Sequence, residues 1–336
     1  MLLLKRIFRS IGSADANAAR HRHLPFAGEL PWRADSSLPI VDWAGAERQM
    51  PAGDDRIAAD DYWWSVALSW LEALRIRLGP HYAVEQSDSF VMLSSLKGKT
   101  LDLAMACCER YRKRILKALE GIASAWGHGP HVVLVFDTLD EYYDYIGNYY
   151  PKQGEFAMSS GMFIQSGYGH FVFRASEMAA MEPIVAHELT HCMLAPLPIP
   201  AWLNEGTAVN MEQALAPSVA DPRRGIFTHR EAARKRAAFW NVETIQQFWS
   251  GKSFKRPDEG CELSYELATE LTLLIAKDHG RYRAFMNSAH WNDAGEDAAR
   301  HALGYALEDL AAAVLGDGQW WPDPEKWIEG TELGQF

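Results

Sequence analysis

PIVAHELTHCML (183–194), followed by PAWLNEGTA (200–208), is the stretch on which the fold and chemistry of this 336-residue chain turn. The first segment has helical period, with Ser176 placed to cap it and a proline block from Pro196 to end it. On a helix, residues four apart lie one turn above each other. His187 and His191 therefore project from one face toward a common point. Two imidazoles so arranged suit zinc, and Glu188, about 100° round the helix from His187, reaches the edge of the same place.

A catalytic zinc needs three protein ligands and one open position for water. The layout with Gly three and His six residues beyond the second histidine is absent, because Leu194 and Leu197 stand there. That excludes a metzincin. Downstream lies a second helix start at Pro200 that carries Glu205. Two helices joined by a short proline-rich turn and returning antiparallel would set Glu205 against the two histidines at modest loop-closure cost. Gly206 would permit close backbone approach beside the metal.

HELTH followed by P-x-W-L-x-E-G-x-A resembles the peptidase MA-like group of gluzincins, the thermolysin-like HExxH zinc metallopeptidases. The resemblance runs from about residue 60 to 315. Ahead of the motif, GMFI (161–164) and a glycine-rich turn look like that family's substrate-flanking hairpin. Behind it, SYELATELTLLIAKDHG (264–280) looks like its Y…L…G helix. The resemblance implies one Zn2+ per chain held by His187, His191 and Glu205, with Glu188 as general base. It also implies a donor to the oxyanion from the helical lobe, for which Tyr265 is the candidate and His279 a weaker one. One departure is Val209, where related sequences often place an acid four residues after the glutamate ligand; Asn210 or Glu212 would have to orient a histidine instead. The implied activity is hydrolysis of peptide bonds in a peptide or protein substrate. The alternative is a noncatalytic zinc-binding regulatory or interaction protein that keeps the gluzincin fold, its cleft covered by the N-terminal arm. A chance HExxH in a helical protein would bind no metal.

Away from the motif, the expected fold is α+β and zincin-like. Residues 1–57, rich in Pro, Ser, Ala and charge, form an irregular arm pinned by Trp32 and Trp43. Residues 58–175 form a mixed α/β lobe and 176–336 a helical lobe, with the active site at the junction. In the α/β lobe, DDYWWSVALSWLEALRIRL (60–78) and 99–125 have helical period, whereas 89–95 and 130–137 read as strands. Residues 137–150 read as a helix or turn rich in tyrosine. GMFIQ (161–165) and HFVFR (170–174), separated by Ser166-Gly-Tyr-Gly169, read as an antiparallel edge hairpin. After Ser176 the chain is helical in period, interrupted at 196–200, 216–224 and near Gly251, Gly280 and Gly316. His170 reads as structural, Tyr142 to Tyr150 as aromatic packing, and Trp320-Trp-Pro-Asp-Pro324 as an anchor for the C-terminus.

Composition narrows the classes. Hydrophobic residues make up 48% and there are 13 Trp, enough apolar area for a substantial core. A net charge of -11 disfavours nucleic acid as partner, and the basic run from Arg223 to Arg236 reads as a solvated helix face. Four cysteines make no disulfide framework; Cys107 and Cys108 read as small core residues, and a reducing, cytoplasmic setting is expected. Neither a secretory leader nor a run long enough for stable membrane insertion is read from the sequence. Oligomeric state is open.

Overall fold

The computed structural model describes residues 23–327, except 52, 54, 126, 151–160, 177 and 218–228. In chain order its elements are α1 (Trp43–Gln49), α2 (Arg56–Leu78), β1 (Ala83–Gln86), β2 (Phe90–Ser94), α3 (Gly98–Ala118) and β3 (His131–Phe136). Then come α4 (Leu139–Ile146), β4 (Gly161–Ile164), β5 (His170–Arg174), α5 (Met178–Leu194) and α6 (Ala201–Leu215). The rest are α7 (His229–Phe239), α8 (Thr244–Trp249), α9 (Glu259–Ile275), α10 (His279–Ser288) and α11 (Leu307–Leu315), with short 3-10 and π turns between them. The chain divides into two compact units. One contains the described part of 10–114 with 125–192, the other 115–124 with the described part of 193–336.

The first unit is built on a five-stranded mixed sheet in the order β1-β2-β3-β5-β4. β2, β3 and β5 run parallel; β1 and β4 are antiparallel ends. Central parallel strands are covered on both faces, which is why VMLS, VVLVF and HFVF carry no polar alternation. In register, Leu93, Leu134, Val172 and Met162 form one row. They lie in a core shared with Trp70, Leu71 and Leu74 of α2. The other face carries Met92, Val133, Phe171 and Phe173, equally buried. α2 begins at Asp55, whose carboxylate accepts from the Ile57 and Ala58 N–H groups, and ends at Gly79. α4 has a Thr138/Glu141 capping box.

The expected strands, the hairpin and the long helices are present in this mixed α/β unit. Three details differ. β1 is an additional strand: AVEQ has too few apolar residues to alternate, and it is held by antiparallel pairing with β2. α3 stops at Ala118 and the chain turns at Gly121 with φ +76, a backbone region open to glycine. Residues 23–50, expected as part of an irregular pinned arm, include the helix α1 and supply Leu30, Ile40, Val41 and Ala46 to the core. Ile40 and Val41 are fully buried and Leu30 nearly so, and the Tyr62 hydroxyl donates to the Ala46 carbonyl at 2.6 Å. Trp43 packs edge-on to Trp70 and occupies the space a side chain on Gly167 would need. Trp32 is 41% exposed and joins the fold through a backbone bridge to Val41. Residues 1–22 lie outside the described part.

His170 is fully buried, its Nδ1 at 2.7 Å from the Tyr168 carbonyl and its Nε2 at 2.7 Å from the Tyr145 hydroxyl. The neutral ring satisfies both, with Nδ1–H donating and Nε2 accepting. Burial lowers its pKa from 6.5 to about 4. The role is structural, as the sequence suggests.

In the second unit α6 packs along α9. Trp202 of α6 is fully buried among Phe248, Trp249 and Phe285, and its Nε1–H donates to the Ala294 carbonyl. Gln246 secures the C-terminal segment, donating to the Trp321 carbonyl and accepting from the Asp323 N–H and Trp327 Nε1. Trp320 and Trp327 are the buried anchors; Trp321 is 40% exposed. Lys235 lies 3.5 Å from Glu259, and Arg236 3.3 Å from Glu270, so this part of the basic run faces acids of α9. Arg223 and Arg224 fall outside the described residues. Among the described residues no helix is long and apolar enough to cross a membrane.

Two outcomes are expected. Ile40→Ala should cost about 2–5 kcal/mol in urea unfolding, while the exposed Ile57→Ala should stay within about 0.5 kcal/mol. His170 is held neutral, so its contribution is complete above pH 6.5 and is lost as pH falls from 6.5 toward 4. Unfolding free energy should drop by about 3 kcal/mol more across that window in wild type than in His170→Gln.

Candidate metal centre

α5 owes its orientation to its apolar side. Met181, Val185, Ala186, Leu189 and Met193 are buried, leaving His187 and His191 on a half-buried stripe. Their rings stand edge to face with centroids 4.7 Å apart, one turn above one another as the four-residue spacing requires. Glu188, on the same helix, is 8% exposed.

After Leu194 the chain closes a turn with Leu197 N–H on the Leu194 carbonyl and enters α6 at Pro200. The Pro200 carbonyl accepts from the Leu203 and Asn204 N–H groups, so the proline sits at the N-cap, one place before the first helical residue. α6 then presents Glu205, 8% exposed. Each of His187, His191 and Glu205 offers one ligand atom, and the three atoms lie within 4.8 Å of one another. Among the described residues this is the one cluster of three or more His, Cys, Asp or Glu side chains able to hold a metal ion.

The donor set suits a borderline divalent cation. Two neutral imidazoles and a carboxylate match a three-ligand tetrahedral site, whose ligand atoms stand about 3.4 Å apart when bonds are about 2.1 Å long. A buried carboxylate gains from a cation beside it, because desolvation alone would oppose its charge.

Gly206 does something different from what its sequence position suggests. A side chain there would run into the Ala268 carbonyl and the Thr272 hydroxyl of α9. The close approach it permits is therefore helix on helix, locking the segment that bears Glu205. Thr207 adds to the lock: its hydroxyl bonds the Leu203 carbonyl at 2.6 Å and lies 2.7 Å from the buried Tyr282 hydroxyl. Asn210 donates to the Thr269 carbonyl at 3.2 Å, tying α6 to α9. The small-residue stripe of α9 opposite Gly206 is the one signal in the sequence that could have disclosed this packing.

Tyr265 lies one turn before Ala268 and Thr269 on α9, half-buried, with its ring edge-on to Phe254. His279 is exposed at the start of α10. Cys192, next to His191, is buried, with its sulfur 3.4 Å from His131 Nδ1 while Arg112 donates to His131 Nε2. Because Arg112 occupies Nε2, the ring proton sits on Nδ1 and points at the sulfur, so His131 cannot serve the thiol as a base. Cys107 and Cys108 are core residues, and burial pushes the Cys107 thiol up to about 11.

Comparison with known proteins gives no matching family model and no similar curated sequence.

Gly206→Ala should lower stability by about 1–3 kcal/mol through overpacking against α9. By displacing the Glu205 helix it should also reduce the metal retained after dialysis. Thermal unfolding and metal analysis of the variant check both.

Proposed function

We propose that this chain is a zinc-dependent peptidase of gluzincin type. The observation that carries the reading is the convergence of His187, His191 and Glu205 within 4.8 Å, with the buried Glu188 adjoining on the same helix. Histidine, histidine and carboxylate is a ligand set that leaves zinc a coordination position for solvent. Bound zinc supplies Lewis acidity that polarises a carbonyl and makes water a nucleophile near neutral pH.

The residues of the chain do the rest. Glu188 takes a proton from the attacking water and passes it to the nitrogen of the departing amine, which leaves as a neutral group. Its burial strengthens the electrostatic interaction with a nearby cation and limits competing solvent. Tyr265, on the α6-facing helix α9, is the candidate donor to the developing oxyanion. Among the described residues β4 ends the sheet, and an extended peptide pairing alongside it is held by main-chain hydrogen bonds that ignore side-chain identity. Peptides and unfolded protein segments are the substrates this arrangement favours.

Dialysed protein should hold one zinc per chain, and Glu205→Ala should lose it. Glu188→Gln should keep the zinc while cutting turnover of a random peptide library by at least about 10²-fold. Equal digests from wild type and Glu188→Gln would refute peptidase action; stoichiometric zinc with neither protein active would favour the noncatalytic alternative.

A further inference from the structure

The motif helix contains a proline. Pro183 has no N–H to offer the Ala179 carbonyl, so a rung is missing between the first turn of α5 and the part that bears the histidines. Side contacts bracket the gap. Glu182 accepts from the Tyr111 hydroxyl at 2.9 Å and from Arg110 at 3.4 Å, both on α3. On the other side of the proline, Ile184 rests on Gly161, the first residue of β4. A methyl group on Gly161 would fall 2.5 Å from Ile184 Cγ2 and 3.1 Å from Phe173 Cβ.

Ile184 stands one turn before Glu188 on the same stripe of α5. β4 is the last strand of the sheet, with β5 as its one strand partner among the described residues. Gly161 thus marks where the terminal strand touches the helix that carries Glu188.

We propose that Gly161 is a positioning residue, whose missing side chain sets the spacing between the terminal strand and α5. A polypeptide paired along β4 then brings its amide bond within reach of Glu188. The inference rests on the peptidase reading and names the element that places the substrate. Main-chain pairing fixes a peptide in the plane of the sheet and along the strand; its distance from Glu188 depends on how far β4 stands from α5. Carbon atoms in van der Waals contact keep about 3.5–4.0 Å apart, so a methyl on Gly161 would force β4 and α5 apart by about 1 Å. A misplacement of that size costs up to about 10²-fold in rate. Phe173 and the Val172 carbonyl crowd Gly161 from β5, so the strand cannot yield into the sheet. The Cγ2 branch of Ile184 is the group whose removal makes room.

The test uses full-length zinc-loaded protein as wild type, Gly161→Ala, Ile184→Leu and Gly161→Ala/Ile184→Leu, since leucine lacks the Cγ2 branch at similar volume. Substrate is a quenched-fluorescent peptide, the best cleaved by wild type from a random library. Gly161→Ala should keep one zinc per chain and a KM within about twofold, while kcat falls at least about tenfold. The double variant should recover most of that loss. Gly161→Ala with wild-type kcat overturns the proposal, as does a double variant that stays impaired while holding its zinc. Amide exchange on the same proteins reads the contact without turnover. Gly161→Ala should speed exchange in both 162–164 and 186–191, and Ile184→Leu should reverse it. Exchange altered in β4 alone overturns the proposal. Wild type that cleaves nothing refutes the peptidase reading separately, and exchange then decides the contact.

Discussion

A carboxylate placed almost out of water beside two imidazoles is the constraint that the rest of the candidate metal centre serves. Burying Glu205 as an anion costs several kcal/mol unless donors or a cation compensate it. The chain fixes the direction of that carboxylate through the packing of the helix that bears it. Trp202 is pinned by its ring and its N–H, and Gly206 lets α6 lie directly on α9. Thr207 and Asn210 then tie the helix by hydroxyl and amide. Four positions on two faces of α6 leave Glu205 little freedom of direction. Such rigidity is what a metal site requires, because ligand geometry must be set before the ion arrives.

Much of this is legible in the sequence because it depends on short-range periodicity. The four-residue spacing of His187 and His191, the proline block and the second helix start all obey local rules, and the elements form where those rules place them. The parallel strands are visible as unbroken apolar runs, and the β4–β5 hairpin as two β-prone runs around Ser166 to Gly169. Glu205 is harder. Its approach to the histidines depends on how two helices pack: the short proline-rich turn allows that return, and the pattern P-x-W-L-x-E-G singles it out only through a resemblance.

What cannot be read depends on long-range contact. Ile40 and Val41 sit in a segment with little regular structure, so no period marks them as core; their burial comes from α2 and the sheet, elements formed later in the chain. The role of Gly206 escapes local reading for the same reason, since its crowding partners, Ala268 and Thr272, are some sixty residues away. β1 has almost no intrinsic strand signal and is recruited by β2. In each case tertiary packing supplies what local propensity lacks.

The two glycines expose a common logic. Gly161 and Gly206 each stand where an element of the proposed site meets a neighbouring element: β4 against α5, and α6 against α9. Neither has the positive φ that usually explains a glycine, since the left-handed glycines of this chain are at turns such as Gly121 and Gly167. Their value is steric. A side chain at either point would push a whole element outward by about an ångström, because packed interiors transmit displacement instead of absorbing it. In the site proposed for this chain, the reactive residues are therefore only half. The other half is two absent side chains, which a search for reactive residues passes over.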